Sequence, residues 1–183
     1  RKYISLVIFF IFVLSSNLYS HVQHYKDLKF LKYGLYFNGK LIGNHTFKFE
    51  QKGEFLYVYG SGNFNVKKLG VTLFDFKTVS EEVFKKGRLV KYISKTTQNE
   101  KEKFSNVQIK NNKLIIDGSS FKGEANINFM VGTWWNHEIV KAKAQISAIS
   151  GRIIEQTVTF VGKEKVKIGE KTYKTLRFNF KSS

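Results

Sequence analysis

The chain has 183 residues, with 31 Lys and Arg against 14 Asp and Glu, 18 Phe, 9 Tyr, no Cys and no Pro. Its length fits one domain, and a composition that is 42% apolar and 16% aromatic can build a hydrophobic core, which excludes disorder and collagen-like repetition. The absence of Cys excludes disulfide frameworks, thiolate metal sites, iron–sulfur clusters and cysteine nucleophiles.

Residues 1–20 have the pattern of a secretory signal peptide. The basic pair Arg1-Lys2 precedes an apolar run from Ile4 to Leu14, and a short polar segment that ends in a small residue follows. The apolar run is shorter than the ~20 residues that a membrane-spanning helix needs. We therefore expect an exported protein, periplasmic or secreted, with residues 21–29 as a flexible mature amino terminus. Because the chain lacks an initial Met and ends directly after a strand-like run, we also expect it to be incomplete at both ends.

From residue 30 onward, the chain alternates strand-like segments with Gly or Asn turns. Apolar and polar residues alternate along 31–37 and 41–50, and the Asn38-Gly39 pair between them is typical of a two-residue hairpin turn. Comparable segments follow at 55–66, 71–84, 89–98, 103–110 and 113–117, with predicted turns at Lys86-Gly87, Asn99-Glu100 and Asn111-Asn112. Gly60 and Gly62, on one face of the third segment, suggest a bend or bulge.

The last third of the chain has a different pattern. Residues 125–129 still alternate, Thr133 to His137 is expected to turn, and the Ala-rich stretch Glu138 to Ala148 is the best helix candidate. Three strands then follow, at 154–161, 165–168 and 173–180, with turns at Gly162 and at Gly169-Glu170. We predict an all-β fold in which residues 30–183 form one β-barrel-like domain. Its curved antiparallel meander would be a half-barrel or a lipocalin-like barrel of about ten strands with one short helix.

An aromatic-lined concave sheet would offer a place for an apolar or amphiphilic ligand. His45 and Phe47 share the apolar side of their strand, so His45 could be a polar group in an interior cavity or an ordinary core histidine. Trp134 and Trp135 could line the same pocket or could plug a small barrel, and Asn136 is a plausible N-cap for the following helix. The candidate ligand-binding residues are His45, Phe47, Phe64, Trp134, Trp135 and Asn136.

Enzymatic signatures are absent from the sequence. Asp75 lies between two Phe residues and could be a perturbed acid or the partner of a Lys. Glu81 and Glu82 are neighbours on a predicted strand, so they point to opposite faces and cannot form a catalytic dyad. No zinc-protease, nucleophile-elbow or phosphate-loop motif occurs. We therefore expect that the protein is not an enzyme, that it has no catalytic residues and that it binds no cofactor.

A copper site is a separate hypothesis. If cleavage leaves His21 first, its amine and imidazole could chelate copper, with His24 nearby and His45 or His137 as a further ligand. The alternative is that residues 21–24 form a solvated tail.

Most of the positive charge comes from lysine. Loss of residues 1–20 would lower the formal net charge from +17 to +15, and 27 of the 31 basic residues are Lys. Such a charge attracts anionic lipid headgroups, so an anionic membrane surface is a candidate partner. The lysines are dispersed, and Lys lacks the bidentate geometry with which Arg binds phosphate, so the excess favours compositional bias and solubility over a tuned site. Nucleic-acid binding is not expected.

Several segments resemble a family of exported bacterial β-proteins described only as a domain of unknown function. These are Tyr36 to His45, Phe64 to Leu69, the Trp135-Asn136 pair, and Gly151 followed by Val158 to Val161. The resemblance spans about residues 30–180 and implies a half-barrel or lipocalin-like sheet, but no activity. His137 stands where the family commonly has Pro, and the family tends to continue with a further aromatic strand after the position of Phe180.

The sequence therefore indicates an exported envelope protein that binds an apolar or amphiphilic molecule in its aromatic-lined sheet. The alternative is a structural or interaction module of the cell envelope with a fully packed core. Neither reading indicates the oligomeric state.

Overall fold

Two-residue turns with positive φ angles connect several neighbouring strands of the chain. In the computed structural model, which describes residue 25 and residues 27–182, such turns occur at Asn38-Gly39, Leu69-Gly70, Lys86-Gly87 and Asn99-Glu100. Positive φ at both central positions matches the right-handed twist of the flanking strands, so these pairs connect neighbouring antiparallel strands directly. The strands between them are long because no Pro interrupts their hydrogen bonding.

The described residues contain twelve strands, one 3-10 helix at His137–Lys141, and no α-helix. The strands are β1 (Phe30–Phe37), β2 (Lys40–Lys52), β3 (Phe55–Lys68), β4 (Val71–Lys85), β5 (Arg88–Gln98), β6 (Lys101–Lys110), β7 (Lys113–Gly118), β8 (Lys122–Asn126), β9 (Met130–Val131), β10 (Ala144–Ile146), β11 (Ile153–Ile168) and β12 (Lys171–Ser182).

Strands β1 to β8 form one antiparallel sheet in which the spatial order follows the chain order. The described residues show β1 and β8 at its two edges. A second sheet has the order β12-β11-β10-β9, and within it β9 and β10 pair in parallel. The prediction of an all-β fold built on a large antiparallel meander is confirmed.

The core lies on one face of the large sheet, beneath the segment that connects β8 to β11. Trp135 from this segment packs with the buried cluster Phe47, Phe49, Leu56, Val58 and Phe84. Ile146 and Val131 pack with a second cluster formed by Tyr92, Val107, Leu114, Ile116 and Ala125. Residues 130–151 therefore cover the inner face of the sheet.

The predicted helix over Glu138 to Ala148 is wrong. Only the five-residue 3-10 helix forms, and the stretch then continues as β10. Ala142, Ala144 and Ile146 are buried at every second position, and β10 pairs with both β9 and β11. This alternate burial and the two strand pairings outweigh the helix propensity of the alanines.

The predicted turn at Gly162 is wrong, and so is the bulge that was one of two alternatives for Gly60 and Gly62. Gly162 does not end a strand, because β11 runs through it and the register with β12 shifts by one residue between Phe160 and Gly162, as in a β-bulge. Gly60 and Gly62 cause no bulge, since the pairing of β2 with β3 is continuous past both. The predicted turn at Gly169 is confirmed by the pairing of Ile168 with Lys171.

No helix in the described part of the chain has the length and apolar character needed to cross a bilayer.

Candidate ligand-binding pocket

A pocket of about 350 Å³ lies on the inner face of strands β1 to β5. Residues 132–134 and 148–149 cover it from the opposite side. Aromatic side chains dominate its wall: Phe47, Phe64, Phe74, Phe76, Tyr92 and Trp134. The volume falls at the lower end of the roughly 300–1,000 Å³ range of small-molecule sites.

The hollow results from small residues that the strand register aligns in two rows. Gly60 pairs with Ser80, and Ser80 pairs with Ser94 on the next strand. One step further along the same face, Gly62 pairs with Thr78, and Thr78 pairs with Thr96. Because inward-facing positions alternate along each strand, these small residues all lie on the same side of the sheet, where Ser80 and Thr78 line the pocket.

The glycines also give room to aromatic rings from β2. A Cβ atom on Gly60 would lie 3.3 Å from the Phe47 ring and in collision with the Ser80 hydroxyl oxygen, and one on Gly62 would lie 3.4 Å from the His45 ring. His45 pairs directly with Gly62, and its ring centroid is 4.3 Å from that of Phe47. The β3 glycines therefore allow neighbouring rings to pack closely against the strand, and the pairing of β2 with β3 stays continuous there.

Three phenylalanines form the pocket wall near the turn between β3 and β4. The ring centroids of Phe64 and Phe76 are 4.8 Å apart, and those of Phe64 and Phe74 are 5.5 Å apart, with nearly parallel rings in both pairs. Phe64 pairs with Phe76 across the two strands, so the stack follows from the register.

His45 is the polar group best placed to contact a ligand. Burial lowers the pKa of its imidazole, so the ring is neutral near neutral pH. Its nitrogens make no hydrogen bond to another described residue, although each neutral imidazole has one donor and one acceptor. Among the described lining residues there is no Lys, Arg, Asp or Glu, so the pocket presents an uncharged surface.

The structure separates the six predicted site residues into two groups. His45, Phe47, Phe64 and Trp134 line the pocket, whereas Trp135 and Asn136 do not. Trp134 is 69% exposed at the pocket, while the Trp135 side chain is 2% exposed in the adjacent core. The Asn136 side-chain oxygen accepts a hydrogen bond from the Glu138 amide at 3.1 Å, which caps the 3-10 helix. The two readings of the tryptophan pair therefore apply to different residues: one lines the pocket and the other plugs the core.

Glu82 is the residue that sequence reasoning missed. Its side chain is 1% exposed, and the Trp135 indole Nε1 donates a 2.6 Å hydrogen bond to its Oε1. Burial raises the pKa of Glu82 to about 8, although hydrogen bonds from Trp135 and Thr133 partly oppose the shift. Because Thr133 lines the pocket, the protonated acid ties the pocket cover to the sheet. The adjacent Glu81 is 3.3 Å from the Lys91 ammonium nitrogen on the other face, so the two carboxyl groups do not meet.

Asp75 also lies on the outer face. Its carboxylate accepts a hydrogen bond from the Asn65 amide at 3.1 Å, and the Lys77 ammonium is 3.9 Å away. Asp75 could have been a perturbed acid or the partner of a Lys, and the structure places Lys77 beside it.

In the described part of the chain, which includes His45 and His137, no group of three His, Cys, Asp or Glu could hold a metal ion. The Tyr25 hydroxyl is 2.7 Å from His137 Nδ1, and His137 Nε2 is 3.3 Å from the Glu138 carboxylate, whereas His45 lines the pocket. His21 and His24 lie outside the described residues, so the copper hypothesis stays a prediction.

Residues 33–183 match a family described as "Domain of unknown function (DUF6134)". The chain belongs to this family. The match confirms the resemblance to a domain of unknown function and includes every lining residue of the pocket. No curated protein and no solved structure matches the chain.

Proposed function

We propose that this member of the DUF6134 family is a non-enzymatic, exported protein of the cell envelope that binds a small apolar or amphiphilic molecule in its pocket. The single observation that carries the proposal is the hollow of about 350 Å³, which is walled by aromatic rings and free of charged lining residues. Ligand sites in proteins are commonly apolar cavities with a few polar groups that fix the orientation of the ligand.

The pocket chemistry defines the ligand class. A charged group buried among Phe64, Phe74 and Phe76 would lose its hydration without gaining an ionic partner, so a charged ligand head would stay outside. The neutral His45 ring could hydrogen-bond one hydroxyl or carbonyl group. The favoured ligand is therefore an apolar chain or ring that carries one uncharged hydrogen-bonding group inside the pocket.

The finer architecture and the location belong to the same proposal. We take the eight-stranded sheet to be a half-barrel whose open side is filled by residues 130–151, with the pocket where this filling is incomplete. Export is supported by the signal-peptide pattern of residues 1–20. A protein that leaves the cytoplasm and has an uncharged aromatic pocket is suited to holding apolar molecules that water dissolves poorly.

Binding of an uncharged apolar fluorophore, N-phenyl-1-naphthylamine, tests the proposal. The wild-type chain should bind it saturably, and Phe74→Lys should weaken binding at least about ten-fold, because it removes one ring and adds a cation to the wall. Val79→Lys, on the exposed outer face of the same strand, is the matched control and should bind as wild type does.

Two results would contradict this function. One is the absence of saturable binding by wild type, and the other is equal affinity in the Phe74→Lys and Val79→Lys variants. Native mass spectrometry after gentle purification is an independent measurement, and it should detect a co-purified molecule that Phe74→Lys loses.

An interaction module of the envelope is the second candidate, and the β11–β12 hairpin favours it. Phe160, Ile168, Leu176 and Phe180 are large apolar side chains that are exposed along this hairpin. The pocket weighs against the fully packed core that this candidate originally included. Pull-down from envelope extracts at low and high salt, with wild type and with Leu176→Asn, tests it. If no partner is retained, or if the amount retained is unaffected by both salt and Leu176→Asn, the interaction-module function is excluded.

A further inference from the structure

Two neighbouring hairpin turns place exposed apolar side chains at one end of the large sheet. The β1–β2 turn precedes β2 and the β3–β4 turn follows β3, and because these strands pair in antiparallel fashion the two turns lie at the same end. We call the exposed side chains around them the apolar rim: Phe37, Leu41, Leu69, Val71 and Leu73. Each is more than half exposed, so the fold leaves the rim uncovered.

Leu69 stands out within the rim because the turn itself does not favour it. Leu69 is 95% exposed and has a φ of +49°, in the left-handed region. The corresponding turn positions elsewhere carry the polar residues Asn38, Lys86 and Asn99. Asn is well tolerated with positive φ and Leu is not, and an exposed Leu gains nothing from the protein interior. Local structure therefore does not explain a leucine at this tip.

Unpaired lysines accompany the apolar rim. Lys40 follows the first turn, and Lys67 and Lys68 precede the second. None of the three has an ion-pair partner among the described residues. The acidic residues at this end of the sheet do not pair with these three lysines. Asp75 contacts Asn65 and Lys77. Glu100 and Glu102 lie at the β5–β6 turn, two strands away from β3.

The apolar rim is continuous with the pocket. Leu73 of the rim is followed directly by Phe74 of the pocket wall, and Phe74 stacks on Phe64. Gln98, another lining residue, immediately precedes the β5–β6 turn, which lies at the same end of the sheet. The pocket therefore extends to the end of the sheet that carries the apolar rim.

We propose that the apolar rim docks on the surface of an anionic lipid bilayer. Apolar turn residues flanked by lysines suit the bilayer interface, since the side chains of the turns enter the apolar layer while the ammonium groups remain among anionic headgroups. The lysine pattern selects an anionic surface rather than an uncharged partner. Docking in this orientation places the pocket next to the membrane. The use of that placement for taking up a ligand rests on the proposed function, but the docking does not depend on it.

Flotation with lipid vesicles tests the docking. Vesicles of phosphatidylcholine alone are compared with vesicles that also contain phosphatidylglycerol, and all variants share the same full chain, so the apolar segment at residues 4–14 is constant. Leu69→Asn should fold normally, because Asn suits the positive φ, and should weaken binding to the anionic vesicles about ten-fold. Lys67→Gln with Lys68→Gln should weaken it by about ten-fold or more at low salt.

Two matched controls separate the apolar rim from the rest of the surface. Val79→Asn introduces the same residue at an exposed apolar position in the middle of β4, and Lys165→Gln with Lys167→Gln removes the same charge from the β11–β12 hairpin. Both controls should bind vesicles as wild type does. Unchanged binding by Leu69→Asn, or an equal loss in the controls, would overturn the proposal, as would equal binding to neutral and anionic vesicles.

Fluorophore binding in solution distinguishes this proposal from the pocket function. Leu69→Asn should bind N-phenyl-1-naphthylamine as wild type does, because Leu69 does not line the pocket. A protein that floats with vesicles through the apolar rim but binds no fluorophore would retain the docking surface and lose the proposed pocket function.

Discussion

The buried carboxyl of Glu82 should make the stability of the protein depend on pH in a direction opposite to that of an ordinary carboxylate. Burial raises the pKa of Glu82 from 4.5 to about 8 in the folded protein, while the unfolded chain keeps the ordinary value. Between these two values the folded protein holds a proton that the unfolded chain releases. The stability that Glu82 contributes is therefore fully present below the unfolded pKa and is lost as the pH rises through the folded pKa.

The size of the effect follows from the pKa difference. Each pKa unit corresponds to about 1.4 kcal/mol, so ionisation of Glu82 lowers the free energy of unfolding by on the order of 5 kcal/mol across this window. With a urea dependence of about 2 kcal/mol per molar, the unfolding midpoint would fall by about 2.5 M. Tyr92, which pairs with Glu82 on β5, does not add to this titration because burial raises the pKa of its phenol above the ordinary value.

Glu82→Gln isolates this contribution. The amide is neutral at every pH and keeps an oxygen that can accept the hydrogen bond from Trp135 Nε1. The variant should therefore match wild type in acid and exceed it in stability at alkaline pH. Urea unfolding followed by tryptophan fluorescence, from pH about 5 to about 9, measures both curves.

The neighbouring Glu81→Gln is the matched control. Glu81 lies on the outer face beside Lys91, so its substitution should leave the pH dependence of wild type in place. His45 contributes in the opposite sense, because its lowered pKa makes stability rise with pH near and below its ordinary value, but this contribution is common to all three proteins. Parallel curves for wild type and Glu82→Gln, or a Glu82→Gln variant that is less stable at every pH, would refute a protonated buried acid.

Two further substitutions test the packing around the pocket. Gly60→Ala should destabilise the protein by about 1–3 kcal/mol, because the new methyl group would collide with the Ser80 hydroxyl and press on the Phe47 ring. Ser61→Ala, on the opposite face, should have little effect in the same urea titration. Equal stability of the two variants would contradict the role of the glycine. Tyr92→Phe should lower the free energy of unfolding by about 1 kcal/mol, because the phenol donates a 2.9 Å hydrogen bond to the carbonyl of Ala148, a residue that covers the pocket. Thermal unfolding measures the loss. An unchanged melting temperature would show that this hydrogen bond does not stabilise the cover.

The local signals in the sequence predicted the large sheet well. Asn38-Gly39, Lys86-Gly87 and Asn99-Glu100 are turns in the structure, and the strands between them follow the predicted alternation. These features depend on residues close together in the chain, where turn chemistry and alternation are sufficient. The family resemblance was also confirmed, although it supplied no activity.

The failures occur where distant residues decide the structure. The stretch from Glu138 to Ala148 has helix-forming composition, but its pairing with β9 and β11 makes part of it a strand. Glu82 reads as a surface residue beside Glu81, and its burial depends on Trp135, which is 53 residues away in the chain. A single sequence contains no signal for this contact, except that Glu82 shares its strand face with Phe76 and Phe84.

The candidate pocket could be predicted in part, and the strand register explains which part. Along the inner face, the row that contains Phe49, Val58 and Glu82 is filled by Trp135. The next two rows have glycine on β3, and serine or threonine on β4 and β5, and no second plug of that size fills them in the described chain. Large aromatic residues return at Phe64 and Phe76 and close the hollow from the far side. The repeated small residues at alternate positions of neighbouring strands are thus the sequence signal of the pocket, and they become visible only when the register aligns them.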